Sequence, residues 1–582
     1  MEIRLIILRI FLTKCIIGFV VLISTQQLVG QNLYEIELHY NSPSKSLKKI
    51  APSKNLRDTN AVKAEIIKLI TNIQSQGFVE VRQDSVIQRK NKYDIFLSIG
   101  VQYEWNAIEK GNADWSNLGN LNYRFQDFNH TQFNYEELIA LQESIIVSLE
   151  NAGYPFASVF LDEIEIIDHK INAQLNISKG NFITIDTIIM PDYEDIRLGF
   201  IEQSIGIFIG SPYDESKVKQ ISKQLSRLEF AQLSKEVDIE FDANTAEIIL
   251  HLKPKNSNQF DGIIGFQPES NNAQKLTLTG NLRLNLNNIF KQGERIKLKW
   301  ESPGNLSQSL VLGFAYPYLF DSPFGIAFDF KLDKRDTSYL NINAIPAIQF
   351  AWDASNYLNA YANIFSSKFI GTYNPPKSGV IDMRSNTFGL NLNINQLDYP
   401  FNPRKGYSVQ ISADAGYKVI GQNPKSETGP DSLNGQYFKF SSQLKLAYYI
   451  PFYSRNTILL AGDFGLLQTE NPFINELYRI GGSMSLRGFD EQSISAEFYG
   501  IATMEYHYLL NQNSYIGLFY DLAQVNNPFP TNKSGLYQGF GINFSFATQA
   551  GIFKLAYAIG QAAEENIQFK NAKIHFGYSA LF

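Results

Sequence analysis

The sequence predicts an α+β repeat region followed by a transmembrane antiparallel β-barrel of about sixteen strands. Three observations predict it. From Phe260 onward, segments of roughly nine to thirteen residues alternate apolar and polar and are separated by polar or Gly/Pro-containing turns. Ahead of them a mixed helical and strand pattern returns about every 76 residues. No segment after the N-terminal one approaches the ~18 consecutive apolar residues of a spanning helix, so any membrane crossing must be made by strands.

At 582 residues the chain is too long for one ordinary domain. Aromatics reach 13%, with 43 Phe and 31 Tyr, yet the mean hydropathy is only -0.18. That pairing suits strands with aromatics on one face and polar groups on the other. The net charge of -6 gives no basic footprint, and no nucleic-acid partner is expected. Cys15 is the single cysteine, so the rest of the chain is free of thiols, as suits an oxidising envelope compartment.

Residues 1–30 read as a secretory signal peptide. Arg4, Arg9 and Lys14 precede the apolar run Cys15–Ile23, and Gly30 is the small residue at the cut. The run is about half the ~20 residues a spanning helix needs. A lipoprotein reading of Cys15 is disfavoured because Lys14 stands where a small residue belongs.

Residues 31–100, 101–180 and 181–256 form three modules. Helical spacing in Val62, Ile66, Leu69, Ile70 and Ile73 leads to Gly77-Phe78. The arrangement returns as Leu138, Leu141, Ile145 and Leu149 before Gly153-Tyr154, and as Val218, Ile221, Leu225 and Leu228 before Phe230, with Asp214 as candidate N-cap. Each aromatic is followed by two strand-like runs, such as Ser158–Ile167 and Lys170–Ser178. Short strands at Trp105–Ile108 and Ile185–Ile188 precede the second and third helical regions. The unit is therefore a strand, one or two helices and two strands. Sheets this small have exposed edges that can accept an extended peptide through its backbone; the bland alternative is a row of spacers. Asn117–Asn129 reads as an extended loop.

Residues 257–582 form the barrel. Leu276, Leu278, Leu282, Leu284 and Leu286 alternate with polar neighbours, as do Phe388, Leu390, Leu392 and Ile394. The last segment sets Ile574, Phe576, Tyr578, Ala580 and Phe582 against Lys573, His575, Gly577 and Ser579. Phe576, Tyr578 and Phe582 make this an aromatic C-terminal barrel signal. Alternation alone also fits a soluble sandwich. The length and number of the segments, the aromatic outer face and the polar inner face favour a barrel, which satisfies every backbone group in lipid.

Two stretches carry a family resemblance. Gly481 to Asp490, GGSMSLRGFD, contains Arg487, Gly488 and Phe489 in the long connection between the eleventh and twelfth strands. Leu397 to Val409, LDYPFNPRKGYSV, falls between mid-barrel strands, and Phe519, Tyr520 and Asp521 follow further on. With the repeats and strand count, these motifs resemble the BamA/TamA-type outer-membrane insertase superfamily, over nearly the whole chain after the signal. The resemblance implies that the repeats are POTRA domains in the periplasm of a Gram-negative bacterium and that the barrel lies in its outer membrane. It also implies unfolded client proteins, outer-membrane lipids and accessory lipoproteins as partners.

Strand parity puts Phe498, Ala502, Met504, Tyr506 and Tyr508 on one face and Glu505 and His507 on the other. On the next strand Ile516, Leu518, Tyr520 and Leu522 face out and Asp521 in. A guanidinium folded in from the connecting loop could meet Glu505 and Asp521 together. In the family the matching arginine makes this kind of contact, which implies a clasp of Arg487 with Glu505 and Asp521. Gly488 would allow a close turn and Phe489 would pack on the inner wall. The plainer alternative is a solvated Arg487 above carboxylates that merely line a pore. His507 and His575 are read as wet lumen residues.

Catalytic patterns are absent: no G-x-S-x-G, no H-E-x-x-H, no phosphate-binding G-x-x-x-x-G-K-[ST], no cysteine pairs, and six scattered histidines. Neither an enzyme nor a cofactor is expected. The leading expectation is a factor that inserts other barrels, opening between its first strand, about Phe260–Pro268, and its last, Lys573–Phe582. Gly262 and Gly265 weaken that first strand. The alternative is a dedicated exporter of one secreted partner, of the two-partner-secretion type. A passive pore is a third reading.

Overall fold

The computed structural model describes residues 34–40, 52–53, 56–112, 128–193, 195–269, 272–304, 306–353, 355–371, 379–399, 402–421, 435–483, 485–529, 533–548, 551–569 and 572–581. The signal peptide with Cys15, residues 117–127 of the expected loop, and Phe582 lie outside these. The chain divides into two compact units, residues 1–180 and 181–582.

The first unit holds two small sheets, each with one helix. In the first, β1 (Glu35–Tyr40) runs parallel to β3 (Lys92–Ser98), and β2 (Arg82–Arg89) pairs antiparallel on the other side of β3. Helix α1 (Thr59–Gln74) begins at Asp58, whose carboxylate accepts from the Ala61 N–H at 2.7 Å. Its apolar stripe buries Val62, Leu69 and Ile73 against Ile95 and Leu97. Sequence periodicity had not marked β1, a short strand of mixed polarity.

The second sheet repeats the plan with β4 (Glu104–Lys110), β6 (Lys170–Ser178) and β5 (Ser158–Ile167) in that order. Asn134 caps α2 (Tyr135–Glu150), which packs Leu141 and Ile145 on Trp105 and Leu175. In both sheets the central strand is the last in sequence, so a β-hairpin and a parallel crossover strand share it. One edge in each is the hairpin's outer strand, β2 or β5.

In the second unit, β7 (Thr184–Ile189), β10 (Thr245–Ile249) and β9 (Asp238–Phe241) form a third such sheet. Two helices lie on it, α3 (Leu198–Ile205) and α4 (Glu215–Leu225). Asp214 caps α4 by accepting from the Lys217 N–H at 3.2 Å. A short pair, β8 (Ala231–Leu233) with β11 (Leu252–Pro254), closes the module.

The barrel is closed and has sixteen strands. They are β12 (Gln259–Glu269), β13 (Asn272–Asn287), β14 (Arg295–Gly304), β15 (Ser307–Tyr316), β16 (Phe324–Arg335), β17 (Tyr339–Ala351), β18 (Tyr357–Phe369) and β19 (Met383–Asn395). The second half continues with β20 (Gly406–Ile420), β21 (Gln436–Phe452) and β22 (Asn456–Thr469). A minor hairpin inside the next loop contributes β23 (Tyr478–Ile480) and β24 (Ile494–Ala496). The wall resumes with β25 (Phe498–Leu509), β26 (Tyr515–Asn526), β27 (Gly535–Thr548), β28 (Gly551–Gln561) and β29 (Lys573–Leu581). All wall neighbours are antiparallel, and each ladder joins strands consecutive around the barrel.

The period of two is visible in the exposure. Phe324, Ile326 and Phe328 point outward along β16, as do Ile516, Leu518 and Tyr520 along β26. Phe576 is also exposed, and its ring lies 6.2 Å from that of Phe553, which sits 5.0 Å from Tyr578. The seam is different from the rest of the wall. β12 meets β29 through three residue pairs, Gln259–Leu581, Phe260–Ala580 and Asp261–Ser579, whereas every other wall ladder carries at least seven. Beyond Asp261 no further seam pairing is formed among the described residues.

Candidate functional site

The site is the inside of the barrel around the connection from Thr469 to Phe498. Both limbs of this loop are fastened to the wall. Asn475, 2% exposed, donates to Ser367 Oγ at 2.6 Å and to the Ile381 carbonyl at 2.8 Å, and its own carbonyl accepts from Asn341 Nδ2 at 2.7 Å. Beside it the fully buried Glu476 pairs with Lys418 at 2.5 Å and with Lys439 at 3.3 Å. Arg479 donates to Tyr339 Oη at 2.8 Å. On the return limb Gln492 donates to Glu301 at 3.0 Å and accepts from Arg335, while Asp490 meets Lys573 at 2.7 Å. Strands from both halves of the barrel thus hold one loop.

Its tip is where the three motif residues lie. The Arg487 guanidinium forks onto Asp521, Nε to Oδ2 at 2.8 Å and Nη2 to Oδ1 at 2.7 Å, while Nη1 reaches Glu505 Oε2 at 2.7 Å. The Arg487 N–H adds a bond to Asp521 Oδ2 at 3.2 Å. Charge-assisted bonds of this geometry are among the strongest side-chain bonds, and the fork fixes orientation as well as energy. The guanidinium carbon sits 3.6 Å from the Phe519 ring centroid, so a cation–π face completes its surroundings. Asp521 is fully buried and Glu505 is 5% exposed.

Gly488 has φ +90, and a Cβ there would lie 2.5 Å from the Gly560 nitrogen. Gly560 and Gly539 are the wall positions against which the tip lies. A Cβ on Gly560 would come within 2.5 Å of the Gly488 carbonyl oxygen, and one on Gly539 would run into the Arg487 carbonyl oxygen. The Phe489 ring packs edge-on to Tyr537 at 5.6 Å. The loop therefore rests on a wall from which side chains have been removed.

Sequence reading placed Arg487, Gly488, Phe489, Glu505 and Asp521 together, and the structure brings all five together. It missed the residues that orient the carboxylates. Thr503 Oγ1 donates to Asp521 Oδ1 at 2.8 Å, and Asn543 donates to Glu505 Oε1. Their inward parity was readable, but nothing local signals which inward residues meet. His507 is a correction. Instead of a wet lumen residue it is 3% exposed, bonded through Nε2 to Glu505 Oε1 at 2.5 Å, and stacked on Tyr515 at 4.1 Å. His575 remains partly exposed. The inner wall is also less polar than alternation implies: Tyr499, Ile501, Ala523, Val525 and Tyr537 point inward and bury Ile480, Leu486, Ile494 and Ala496 of the loop.

Below the loop a polar cavity of about 770 Å³ remains, with Lys297, Lys331, Asp329 and Asp414 on its walls, Tyr478 at the loop end and Glu229 of the third module at the other.

A sixteen-stranded barrel preceded by strand–helix–hairpin modules, with an arginine-tipped loop clasped inside it, defines an outer-membrane β-barrel whose interior is partly filled by its own connection. The Omp85 superfamily domain matches residues 288–582, just over half of the chain, and the chain belongs to the Omp85 superfamily. Among solved structures it is similar to CdiB from Escherichia coli, with TM-score 0.52 and 13% identity over 92% of this chain and 99% of that one. It is likewise similar to CdiB from Acinetobacter baumannii, with TM-score 0.52 and 12% identity over 82% and 89%. BamA from Haemophilus ducreyi lacking POTRA domains 1-3 aligns with TM-score 0.45 and 17% identity over 83% and 100%. No curated protein sequence matches the chain.

Proposed function

We propose that this protein guides unfolded clients from the periplasm to its barrel seam and inserts them into the outer membrane of a Gram-negative bacterium. The observation that carries the reading is the seam. Among the described residues three pairs close it, against at least seven in every other ladder, so separating β12 from β29 breaks few backbone bonds. The freed edges offer unpaired N–H and C=O groups to an incoming strand. The clasped loop keeps the rest of the wall in shape while the seam parts. The work is an exchange of hydrogen bonds and buried surface, with no covalent step and no cofactor.

The modules supply the approach. The outer edge of the second sheet is β5, along which Phe160, Ile164 and Ile166 stand 44%, 56% and 57% exposed. An apolar edge strand of this kind can take an extended client as a further strand, with pockets for alternate side chains. Outer-membrane lipids would meet the exposed aromatic face, and accessory lipoproteins would bind the modules.

The test is a disulfide across the seam. Phe260 and Ala580 face each other in register, and directly opposed antiparallel residues stand about 4.5–5.5 Å apart, within disulfide range. Phe260→Cys with Ala580→Cys, oxidised in cells depleted of the native chain, is expected to lose barrel proteins across the outer-membrane proteome, and reductant is expected to restore them. Full activity of the oxidised variant would end the seam reading. Loss of one secreted protein with barrels unchanged would make the chain a dedicated exporter acting through its lumen.

A further inference from the structure

The third module is joined to the barrel by more than its linker. Its contacts fall on four successive turns at the end of the wall from which β12 starts. On the turn between β13 and β14, Asn288 Nδ2 donates to the Asp195 carbonyl at 2.9 Å and Lys291 pairs with Asp195. On the turn between β15 and β16, Arg197 donates to the Tyr318 carbonyl at 2.8 Å, and Phe200 packs on the fully buried Tyr318 ring at 5.3 Å. On the turn between β17 and β18, Arg227 reaches Asp353 Oδ2 at 2.5 Å, and on the turn between β19 and β20 the same guanidinium reaches Gln396 Oε1 at 2.5 Å.

The Lys291–Asp195 pair is exposed, whereas the contacts of Arg227 and of Tyr318 are built in a dry setting. Asp353 is 4% exposed, and it also accepts from the Ser355 and Asn356 N–H groups, so it is locked in its turn before Arg227 arrives. Tyr318 and Ala351 of the barrel belong to the same buried cluster as Phe200, Ile221, Leu228 and Phe230 of the module. Buried charge pairs set orientation more than they add net stability, and removing one partner is strongly destabilising. A shared apolar core of this kind does not permit the default motion between domains.

The LDYPFNPRKGYSV stretch extends the arrangement. Asp398 Oδ1 accepts from the Arg404 and Lys405 N–H groups at 2.9 and 3.1 Å, which folds the turn back on itself next to Gln396. Arg404 then donates to the Ser454 carbonyl at 2.6 Å, and Asn402 to the Gln512 carbonyl at 2.9 Å. The motif is a bracket that ties the turn gripped by Arg227 to the next two turns of the rim.

The geometry points to the third module as a fixed half-cover of the barrel mouth, held by Arg227, which leaves clients the arc beneath β21 to β29 that ends at the seam. The inference holds for an inserter and for an exporter alike. It assigns Arg227 a positioning role and gives the mouth one open side.

Two measurements on the full chain in nanodiscs, in a Cys15→Ser background, test it. Spin labels at Lys219→Cys on the module and Tyr453→Cys on the far rim, both exposed, are expected to give one narrow distance distribution that broadens in Arg227→Ala. A 5 kDa (roughly) polyethylene-glycol maleimide is expected to modify Ser355→Cys, in the crevice under the module, at least about tenfold more slowly than the exposed Gln512→Cys, because reaction there awaits local opening. Arg227→Ala is expected to remove that protection while the barrel keeps its heat-modifiable mobility. Arg227→Lys, which keeps the charge but not the fork, is expected to fall between the two. A broad distribution in the unmodified module, equal reactivity at the two cysteines, or an Arg227→Ala variant indistinguishable from its parent would each overturn the proposal.

Discussion

Arg487→Lys is expected to fail almost as completely as Arg487→Ala. The native side chain makes two bonds to Asp521 and one to Glu505 from a single rigid fork. A lysine ammonium is a point charge on a flexible stem and cannot reproduce three bonds in one plane. Whichever carboxylate it abandons is left buried without its cation, at a cost of about 3–5 kcal/mol for a pair of this kind. That energy is comparable with what holds one loop against a wall, so the tip should leave the wall while the barrel persists. Complementation of a depletion strain reads the functional loss. Trypsin reads the structural one, because position 487 remains a cleavage site in the lysine variant and should change from protected to cut. A lysine variant that complements fully and stays protected would show that the fork does not hold the loop.

Gly539→Ala is expected to reproduce that phenotype without touching a charge. The added Cβ would run into the Arg487 carbonyl oxygen, and both partners are backbone, so no rotamer change relieves the clash. Either β27 shifts or the tip lifts, and β27 is held by ladders of eleven pairs on each side. The tip should therefore yield, exposing Arg487 to trypsin with all its partners intact. Gly577→Ala is the control, since a Cβ there meets Lys554 only at 3.7 Å, an ordinary contact. If Gly539→Ala leaves Arg487 protected and function intact, the close approach of loop and wall is not required.

The sequence made the barrel legible because a two-faced strand writes its environment into every second residue. The same parity marked Glu505 and Asp521 as inward, and the family motif marked Arg487. What could not be read depends on where a long loop travels after it leaves the wall. Asn475 and Glu476 look like ordinary loop residues, and Lys418 and Lys439 like ordinary lumen lysines, until the fold brings them to a dry contact at 2.5 and 3.3 Å. His507 reads as a wet residue because strand parity gives the face a side chain points to and not what lies against it. In the structure the Glu505 carboxylate bonds its Nε2 and the Tyr515 ring stacks on it, and Asn543, from a third strand, bonds that same carboxylate. The glycine wall is similar: nothing in the sequence singles out Gly539 and Gly560, and only the tip lying on them explains why a side chain is excluded. Asp214 as N-cap was readable because capping is local, whereas Arg227 with Asp353 is a pairing across 126 positions.

The way the loop is fastened also constrains how this barrel can be made. Its limbs hold β14, β16 and β17, synthesised before it, and its tip and return limb hold β25, β26 and β29, synthesised after it. Contacts of such sequence separation form late, because the chain entropy they remove is repaid only when both ends are already in place. Docking of the tip is thus a kinetic checkpoint: it cannot happen on a half-built wall, and a trapped Arg487 reports that the last strands have arrived. In a pulse-labelled refolding series, protection of Arg487 should lag behind strand pairing and coincide with arrival of the final compact species. The clasp would then be the molecule's own signature of completed biogenesis.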